Sequence, residues 1–179
     1  MAKKVPTKSK EEIFWSVFEA VIQLEATKGF GKWKVTDLSR VSKVSRPLIY
    51  YYFGKSKESI LETAVDFMGE EYFGLSDARM KMWDQGQLVE SILISRRMCQ
   101  KAPYGLLFYM TRRNMQNPIG ERMREFEKRY RKKLAEFFPQ LAAVGNDGMA
   151  GVIFGLVTFP DLTEDGVVKS IQFIQNKLL

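Results

Sequence analysis

The sequence predicts an all-α protein in two parts: an N-terminal three-helix unit with a helix-turn-helix, then a helical bundle. Apolar residues recur at helical spacing, as at Ile13, Val17, Val21 and Leu24. Residues that start helices and residues that end them alternate along the chain, and no stretch shows the two-residue alternation of a strand. With 179 residues, the chain is long enough to bury a core.

The first helix is predicted over residues 10–28. Ser9 and Glu12 have the spacing of a capping box, in which each residue binds the backbone N–H of the other. Gly29 follows the last apolar positions and has the chemistry of a helix stop. These signals give the chain a long amphipathic helix at its start.

Two short helices follow at the spacing of a helix-turn-helix. Thr36 is predicted to cap a helix over residues 36–42, and Ser45 to cap the next one. Pro47 is tolerated in the first turn of that third helix, which Gly54 ends. Two capped helices joined by a three- or four-residue turn, and supported by a longer helix, form this motif.

The rest of the chain predicts only helices and loops. Ser56 is a cap for a fourth helix, and glycines and prolines punctuate the segments after it. We expect helices near residues 57–75, 86–101, 103–114, 119–138, 147–158 and 164–178.

The positive charge lies mainly in the first third of the chain. Residues 1–60 hold twelve Lys and Arg against six acidic residues, a balance of +6 within the total of +7. Such a local field attracts polyanions, either nucleic acid or an anionic membrane surface. Lys3, Lys4 and Lys8 form either an arm that follows nucleic acid or a solvated tail.

The composition disfavours several classes of protein. The chain has no histidine, which excludes His-dependent triads and His-ligated metal sites, so we expect no enzyme, metal or cofactor. The longest apolar stretch, residues 149–160, is shorter than the roughly twenty residues of a membrane span. Cys99 stands alone, so no intrachain disulfide is possible, which fits a cytoplasmic location.

The segment VTDLSRVSKVSRPLIYYYF, residues 35–53, resembles the signature of the tetracycline-repressor (TetR) family of bacterial regulators. Ser56-Lys57-Glu58 resembles the Ser-Lys-Glu of that family, and Gly29-Phe30 stands where the first helix of the family ends. The resemblance covers about fifty residues. It implies a helix-turn-helix DNA-binding domain over residues 1–55 and a helical effector-binding and dimerisation domain over residues 56–179.

This sequence departs from the family pattern at four places. Lys43 stands at a turn position where glycine is usual, Ser39 replaces a small apolar alanine, and Leu48 replaces a small residue such as threonine. One extra residue precedes Ser56-Lys57-Glu58. The lysine that binds phosphate is therefore either Lys55 or Lys57.

The resemblance implies that the third helix enters the major groove of a double-stranded DNA operator. Arg46 is the strongest candidate for reading sequence, because a guanidinium can form two hydrogen bonds to guanine. Hydroxyls and N–H groups at helix starts suit phosphates. The residues expected to contact DNA are Thr36, Ser45, Arg46, Pro47, Leu48, Tyr50, Tyr51, Tyr52, Lys55 and Lys57.

The resemblance also implies a homodimer in which the last two helices pack on those of the partner. Glycines within one apolar helix suit a close helix approach, either between subunits or within one subunit. The candidates for the dimer interface are Gly151, Val152, Gly155, Leu156, Phe159, Ile171, Ile174 and Leu178.

An effector pocket is implied in the middle of the chain, which is rich in methionine and aromatic residues. Such residues also form plain core. The candidate pocket residues are Phe67, Met68, Trp83, Met98, Tyr104, Phe108, Met110 and Arg112.

The leading hypothesis is a dimeric, sequence-specific transcription repressor that a small apolar or amphipathic ligand releases from DNA. One alternative is a helical DNA-binding protein without a small-molecule effector. Another is a basic peripheral membrane protein, although we expect no stable membrane association. An enzyme based on Glu70-Glu71 has no supporting residue spacing.

Overall fold

The structure is a computed structural model that describes residues 8–139 and 145–178. The described residues form helices and loops with no β-strand, so the predicted all-α class is confirmed. The helices are α1 (Lys10–Lys28), α2 (Val35–Ser42), α3 (Arg46–Phe53), α4 (Lys57–Tyr72), α5 (Asp77–Asp84), α6 (Leu88–Lys101), α7 (Tyr104–Arg112), α8 (Pro118–Phe137), α9 (Asn146–Thr158) and α10 (Glu164–Leu178).

The chain divides into two compact units, unit 1 (Met1–Phe67) and unit 2 (Met68–Leu179). The division falls inside α4, so this helix contributes to both units. The functional boundary expected between residues 55 and 56 stays a prediction, because compactness alone does not test function.

Unit 1 is built around the buried face of α1. Ile49 and Phe53, four residues apart on α3, are almost fully buried, as their spacing predicts. The ring of Phe14 on α1 lies 4.7 Å from that of Phe53 and 5.8 Å from that of Phe67, between centroids. The remaining core of this unit is apolar and includes Val17, Phe18, Val21, Ile22, Trp33, Leu38, Ile60, Ala64 and Val65.

The start of α1 follows the sequence prediction. The Ser9 hydroxyl accepts a hydrogen bond from the Glu12 N–H at 3.2 Å, and the Glu12 carboxylate accepts one from the Ser9 N–H at 2.6 Å. Gly29 follows the helix with a φ of +89°, a conformation that favours glycine. The predicted bounds of 10–28 are confirmed.

The predicted start of α2 was wrong by one residue. The helix begins at Val35, its N-cap is Lys34, and Thr36 lies exposed in the first turn. The reason is Asp37, whose carboxylate accepts a hydrogen bond from the Lys34 N–H at 2.9 Å and pairs with Lys28 at 2.9 Å. A carboxylate in the first turn satisfies a free N–H and complements the helix dipole, so Thr36 is not needed as a cap.

The turn between α2 and α3 is held by two serine hydroxyls. Lys43 has a φ of +54° and a ψ of +31°, the left-handed conformation that explains why glycine is usual there. The Ser39 hydroxyl donates to the Val44 carbonyl at 2.7 Å, and the Ser42 hydroxyl accepts from the Val44 N–H at 3.2 Å. These hydrogen bonds give the turn a fixed shape despite the unfavourable residue.

Unit 2 contains a helix that the sequence pattern did not indicate. Gly74, with a φ of +63°, follows α4, which ends at Tyr72, and the short α5 begins at Asp77. This helix buries Trp83, whose indole N–H donates to the Ser91 hydroxyl at 2.8 Å. An eight-residue helix is too short to show a clear apolar period. The core around it contains Trp83, Leu88, Ile92, Leu93, Leu134, Met149, Ile153, Leu156, Val157, Val167 and Ile171.

A buried arginine joins α6 to the end of α9. The Arg96 side chain is 1% exposed, and its guanidinium donates to the carbonyl oxygens of Leu156 at 3.0 Å and Phe159 at 2.8 Å. It also donates to the carbonyls of Pro160 and Leu162. The last carbonyls of a helix lack partners within the helix, so a cation there both satisfies them and complements the dipole.

We expect Lys43→Gly to raise the free energy of unfolding by about 0.5–1 kcal/mol, because relief of the left-handed strain exceeds the entropic cost of glycine. Urea unfolding measures the change. Lys43→Ala removes the same charge but keeps Cβ, so it serves as the control and leaves the stability nearly unchanged. Equal stabilisation by both variants would contradict a backbone origin.

Candidate functional site

One face of α3 is turned outward. Because Ile49 and Phe53 face the core, the helical period places Leu48 and Tyr51 on the outer side, where they are 40% and 79% exposed. Pro47 and Arg46 lie in the first turn, next to the N-cap Ser45. Of the ten residues predicted to contact DNA, those classed as exposed are Thr36, Ser45, Arg46, Pro47, Leu48, Tyr50, Tyr51 and Lys55.

Tyr52 has a packing role as well. Its side chain is half-buried, and its ring lies edge-on to Phe14 with centroids 5.7 Å apart. A second edge-on contact joins it to Tyr51 at 4.8 Å. Such pairs add to the burial of the rings themselves, so Tyr52 helps to fasten α3 to α1.

Lys57 is engaged within unit 1. Its ammonium donates to the Gly31 carbonyl at 2.8 Å and lies 6.0 Å from the centroid of the Trp33 ring. Lys55, two residues earlier, is exposed. Of the two lysines that the sequence left open, Lys55 is therefore the one whose position favours an external phosphate.

The loop between α1 and α2 is fixed by a buried carboxylate. Glu25 on α1 is 1% exposed and accepts hydrogen bonds from the Trp33 indole N–H at 2.6 Å and the Gly31 N–H at 3.0 Å. With Lys57 bound to the Gly31 carbonyl, the loop is tied to both α1 and α4. Sequence reasoning missed this group, since a lone glutamate on an apolar helix face shows no partner.

Lys8 is also held by unit 1. Its ammonium donates to the Ser16 hydroxyl at 2.8 Å and to the Ser42 carbonyl, at the end of α2, at 3.1 Å. The arm or solvated tail predicted for Lys8 is therefore wrong for this residue. Lys3 and Lys4 lie outside the described residues.

The outer face of α3 belongs to a segment without acidic residues. Residues 38–57 contain five basic side chains, Arg40, Lys43, Arg46, Lys55 and Lys57, and no Asp or Glu. A positive surface that combines a helix N-terminus, hydroxyls and tyrosines suits a polyanion with phosphates along its edge.

Residues 18–64 match the family model described as bacterial regulatory proteins, tetR family. Unit 1 carries a TetR-family DNA-binding domain. The match runs from the middle of α1 into α4 and so contains α2, the turn at Lys43 and α3. The protein is a DNA-binding transcription regulator. No curated protein and no solved structure matches the chain significantly.

Unit 2 contains a cavity of about 240 Å³. Its apolar wall comes from α4, α7 and α9, and its polar edge from α7 and α8. The lining includes Met68, Tyr72, Phe73, Cys99, Leu106, Tyr109, Arg113, Glu127, Tyr130, Arg131, Asp147, Ala150, Gly151, Ile153, Phe154, Val157 and Thr158.

Of the eight predicted pocket residues, only Met68 lines this cavity. Phe67 packs within unit 1, and Trp83 and Phe108 are buried in the core of unit 2. Two further predicted pocket residues, Tyr104 and Met110, point outward because of the rotation of α7 about its axis. The side chains that face the cavity there are Leu106, Tyr109 and Arg113. Neither Met98 nor Arg112 reaches the cavity; Cys99 takes the lining position on α6, and the Arg112 guanidinium contacts the Met115 sulfur at 3.5 Å.

An ion pair forms the polar edge of the cavity. The Arg113 guanidinium donates to both carboxylate oxygens of Glu127, at 2.8 and 3.0 Å, and the Tyr109 hydroxyl donates to the same carboxylate at 2.6 Å. Burial acts to raise the pKa of Glu127, but the hydrogen bonds from Arg113 and Tyr109 outweigh it and lower the pKa. Burial and the Glu127 carboxylate raise the pKa of Tyr109 to about 12.

Cys99 faces the same cavity as a neutral thiol. Burial raises its pKa to about 12, so the thiolate is not populated at neutral pH. Within residues 8–139 and 145–178, no group of three metal-ligating side chains comes together, and no helix is long and apolar enough to cross a membrane.

The outer face of α9 is apolar and rich in glycine. Val152 is 44% exposed, and Phe159, just after the helix, is 62% exposed. Gly148 precedes Val152 by one helical turn, and Gly155 lies between Val152 and Phe159. A Cβ added at Gly148, Gly151 or Gly155 would meet none of the other described side chains within 4 Å. Gly151 lines the cavity of unit 2, whereas packing among the described residues gives no reason for Gly148 and Gly155.

Two predicted interface residues lie in the core instead. Leu156 and Ile171 are 9% and 3% exposed within unit 2, because α9 and α10 turn these positions inward. Ile174 is half-buried against the same core. Phe173, which the sequence reasoning missed, is 64% exposed. The side chain of Leu178 lies outside the described residues.

We expect Glu127→Gln to lower the free energy of unfolding by about 1–3 kcal/mol at pH 7, because charge-assisted hydrogen bonds are lost. The folded-state pKa of Glu127 is lowered, so its contribution is present above pH ~4.3 and is lost as the pH falls through the folded pKa. The two proteins should therefore converge in acid. Urea unfolding at several pH values measures this.

Glu125→Gln is the control for this variant. Glu125 lies on the same helix, 64% exposed, and its pair with Arg122 is long at 3.8 Å. An exposed pair of this kind contributes about 0–1 kcal/mol. Equal effects of the two substitutions, or a constant difference across the pH range, would contradict the role assigned to Glu127.

Proposed function

We propose that this protein is a dimeric transcription repressor that binds a near-palindromic operator and that a small ligand releases. The observation that carries the proposal is the outward face of α3, with Arg46 exposed in its first turn inside a segment that has no acidic residue. Two copies would place their α3 helices in successive major grooves, about 34–36 Å apart. The repressor role rests on the family resemblance.

The exposed residues divide by chemistry into two sets. Arg46 suits guanine, and Pro47 and Leu48 suit thymine methyl groups, so these three would read the operator. Hydroxyls and cations suit phosphates, which set the register without reading sequence. The proposed phosphate contacts are Thr36, Ser45, Tyr50, Tyr52 and Lys55, with Tyr51 reaching toward base edges and Lys57 mainly supporting the loop.

Arg46→Ala and Lys55→Ala should weaken operator binding in different ways. Losing Arg46 removes about 1–3 kcal/mol of discrimination, so specific binding falls about 10–100-fold while nonspecific binding changes little. Losing Lys55 should weaken binding to all sequences alike and reduce the salt slope by about one. Gel shifts with the upstream DNA of the gene at several salt concentrations measure both effects.

Lys169→Ala controls for the loss of a cation. Lys169 lies in unit 2, is 73% exposed and pairs with Asp165. Its removal should leave DNA binding unchanged. If the Arg46 and Lys55 variants bind like the parent, α3 does not read the operator.

The dimer is proposed to form through the glycine-rich face of α9 together with α10. Each glycine inside a helix costs about 0.5–1 kcal/mol relative to alanine, and no described residue fills the space beside Gly148 or Gly155. A second copy that packs closely against Gly148, Gly155 and the exposed Phe159 would use it. This supports the interpretation between subunits over the one within a subunit.

Gly155→Leu should raise the dimer dissociation constant about ten-fold or more, because the added side chain prevents close helix approach. Sedimentation equilibrium measures the change. Gln100→Leu is the control, since it adds the same side chain at another exposed helical position. An unchanged dimer in the Gly155 variant would place the interface elsewhere.

The ligand response is supported by the cavity in unit 2. A dry apolar cavity of about 150 Å³ is enough for benzene, and this cavity is larger and has a charged edge. Ligand binding would favour a dimer geometry in which the two α3 helices no longer fit successive grooves.

A further inference from the structure

The polar edge of the cavity holds a cation of the protein itself. The Arg113 guanidinium forms a two-pronged ion pair with Glu127 and lies 5.8 Å from the centroid of the Tyr109 ring. Carboxylate and aromatic ring together are the environment in which proteins bind organic cations. Arg113 therefore occupies a cation site that opens on an apolar cavity.

The walls beside this site are aromatic. Phe73 lies 5.6 Å from Tyr109 and 6.0 Å from Tyr130, and Tyr109 lies 5.6 Å from Phe154, all between ring centroids. All four rings line the cavity. The faces of aromatic rings carry partial negative charge, so they attract cations and disfavour anions.

The two partners of the ion pair differ in their freedom to leave. The Glu127 side chain is 10% exposed, whereas that of Arg113 is 35% exposed at the end of α7. A buried carboxylate cannot lose its counter-ion without a large penalty, but the half-exposed Arg113 can turn to solvent if another cation replaces it. Replacement of Arg113 by another cation is therefore easier than movement of Glu127.

The remaining charges oppose an anionic ligand. Arg131, the second arginine of the lining, pairs with Asp147 at 3.2 Å and lies 3.9 Å from Glu127. The charges of the two arginines and the two acidic residues in the lining cancel. If Arg113 turns away, the lining carries one net negative charge. An anion would have to enter beside Glu127, where like charges repel.

We propose that the cavity binds an organic cation with an apolar body, of the amidinium, guanidinium or ammonium class, which takes the place of Arg113 on Glu127. The cationic head pairs with the carboxylate and the body lies among the four rings. The proposal deepens the proposed ligand response and rests on it for its regulatory meaning. Binding itself is measured without DNA.

Benzamidine, benzamide and benzoate test the proposal, because they share one shape and carry charges of +1, 0 and −1. Isothermal titration of the full chain should show benzamidine binding most tightly and benzoate least. Arg113→Gln removes the competing cation and should tighten benzamidine binding about ten-fold, while Glu127→Gln should abolish the preference for benzamidine over benzamide.

Asp147→Asn is the matched control, since Asp147 is a carboxylate of the same lining but is 89% exposed. It should leave the benzamidine affinity within about two-fold of the parent. A loss as large as that of Glu127→Gln would place the cation at Asp147 and overturn the proposal.

Tighter binding of benzoate than benzamidine, weaker benzamidine binding by Arg113→Gln, or no benzamidine binding by that variant would also overturn the proposal. A thermal melt checks that Arg113→Gln is folded. If it is not, Arg113→Lys keeps a cation without the two-pronged geometry and should give a smaller gain in affinity. If the parent protein does not bind the operator in gel shifts, the proposed function is contradicted, but the titration result still stands.

Discussion

Burial of Ile49 and Phe53 is the constraint on which the DNA-binding surface depends. An eight-residue helix is not stable by itself, so α3 keeps its place only through contacts with the rest of unit 1. Both side chains are at most 1% exposed, and Phe53 packs against Phe14. Because the helical period then fixes the opposite face, these two side chains decide that Tyr51 points outward. Arg46 is exposed because it is the first residue of the helix.

Polar contacts set the finer geometry around that helix. The turn before α3 places Lys43 in a conformation that disfavours side chains, and Ser39 and Ser42 stabilise it through Val44. The loop after α1 is held by Glu25 and Lys57. The departures from the family pattern at residues 39 and 43 are structurally linked, because the Ser39 hydroxyl stabilises the turn that contains Lys43.

In unit 2, charged side chains lie at the edge of an apolar cavity. Glu127 is nine-tenths buried, and its charge is compensated by Arg113 and Tyr109. Arg96 and Arg79 are also buried, but they donate to carbonyls and serines within the fold and do not themselves line the cavity. Among the described residues, the pair of Arg113 and Glu127 joins a buried charge to space that a ligand can enter.

The sequence by itself determined the helical class, the bounds of α1, the motif around α2 and α3, and the positive charge beside it. These are local properties: capping residues, helical periodicity and composition act within a few residues of one another. The short α5 was not found, since eight residues carry too little pattern. The cap at Thr36 was wrong because the Asp37 carboxylate accepts from the Lys34 N–H, and the helix already begins at Val35.

Only the tertiary structure decided which residues line the cavity and which face of α9 is free. Of the predicted pocket residues Met68 lines it, while Leu106, Tyr109 and Arg113 take the places expected for other residues of α7. Leu156 and Ile171 turned out to be core rather than surface. An apolar side chain favours burial, but the sequence does not show where it is buried. Packing sets the rotation of each helix about its axis, and this rotation decides whether the side chain lies in the core, along the cavity or against a partner.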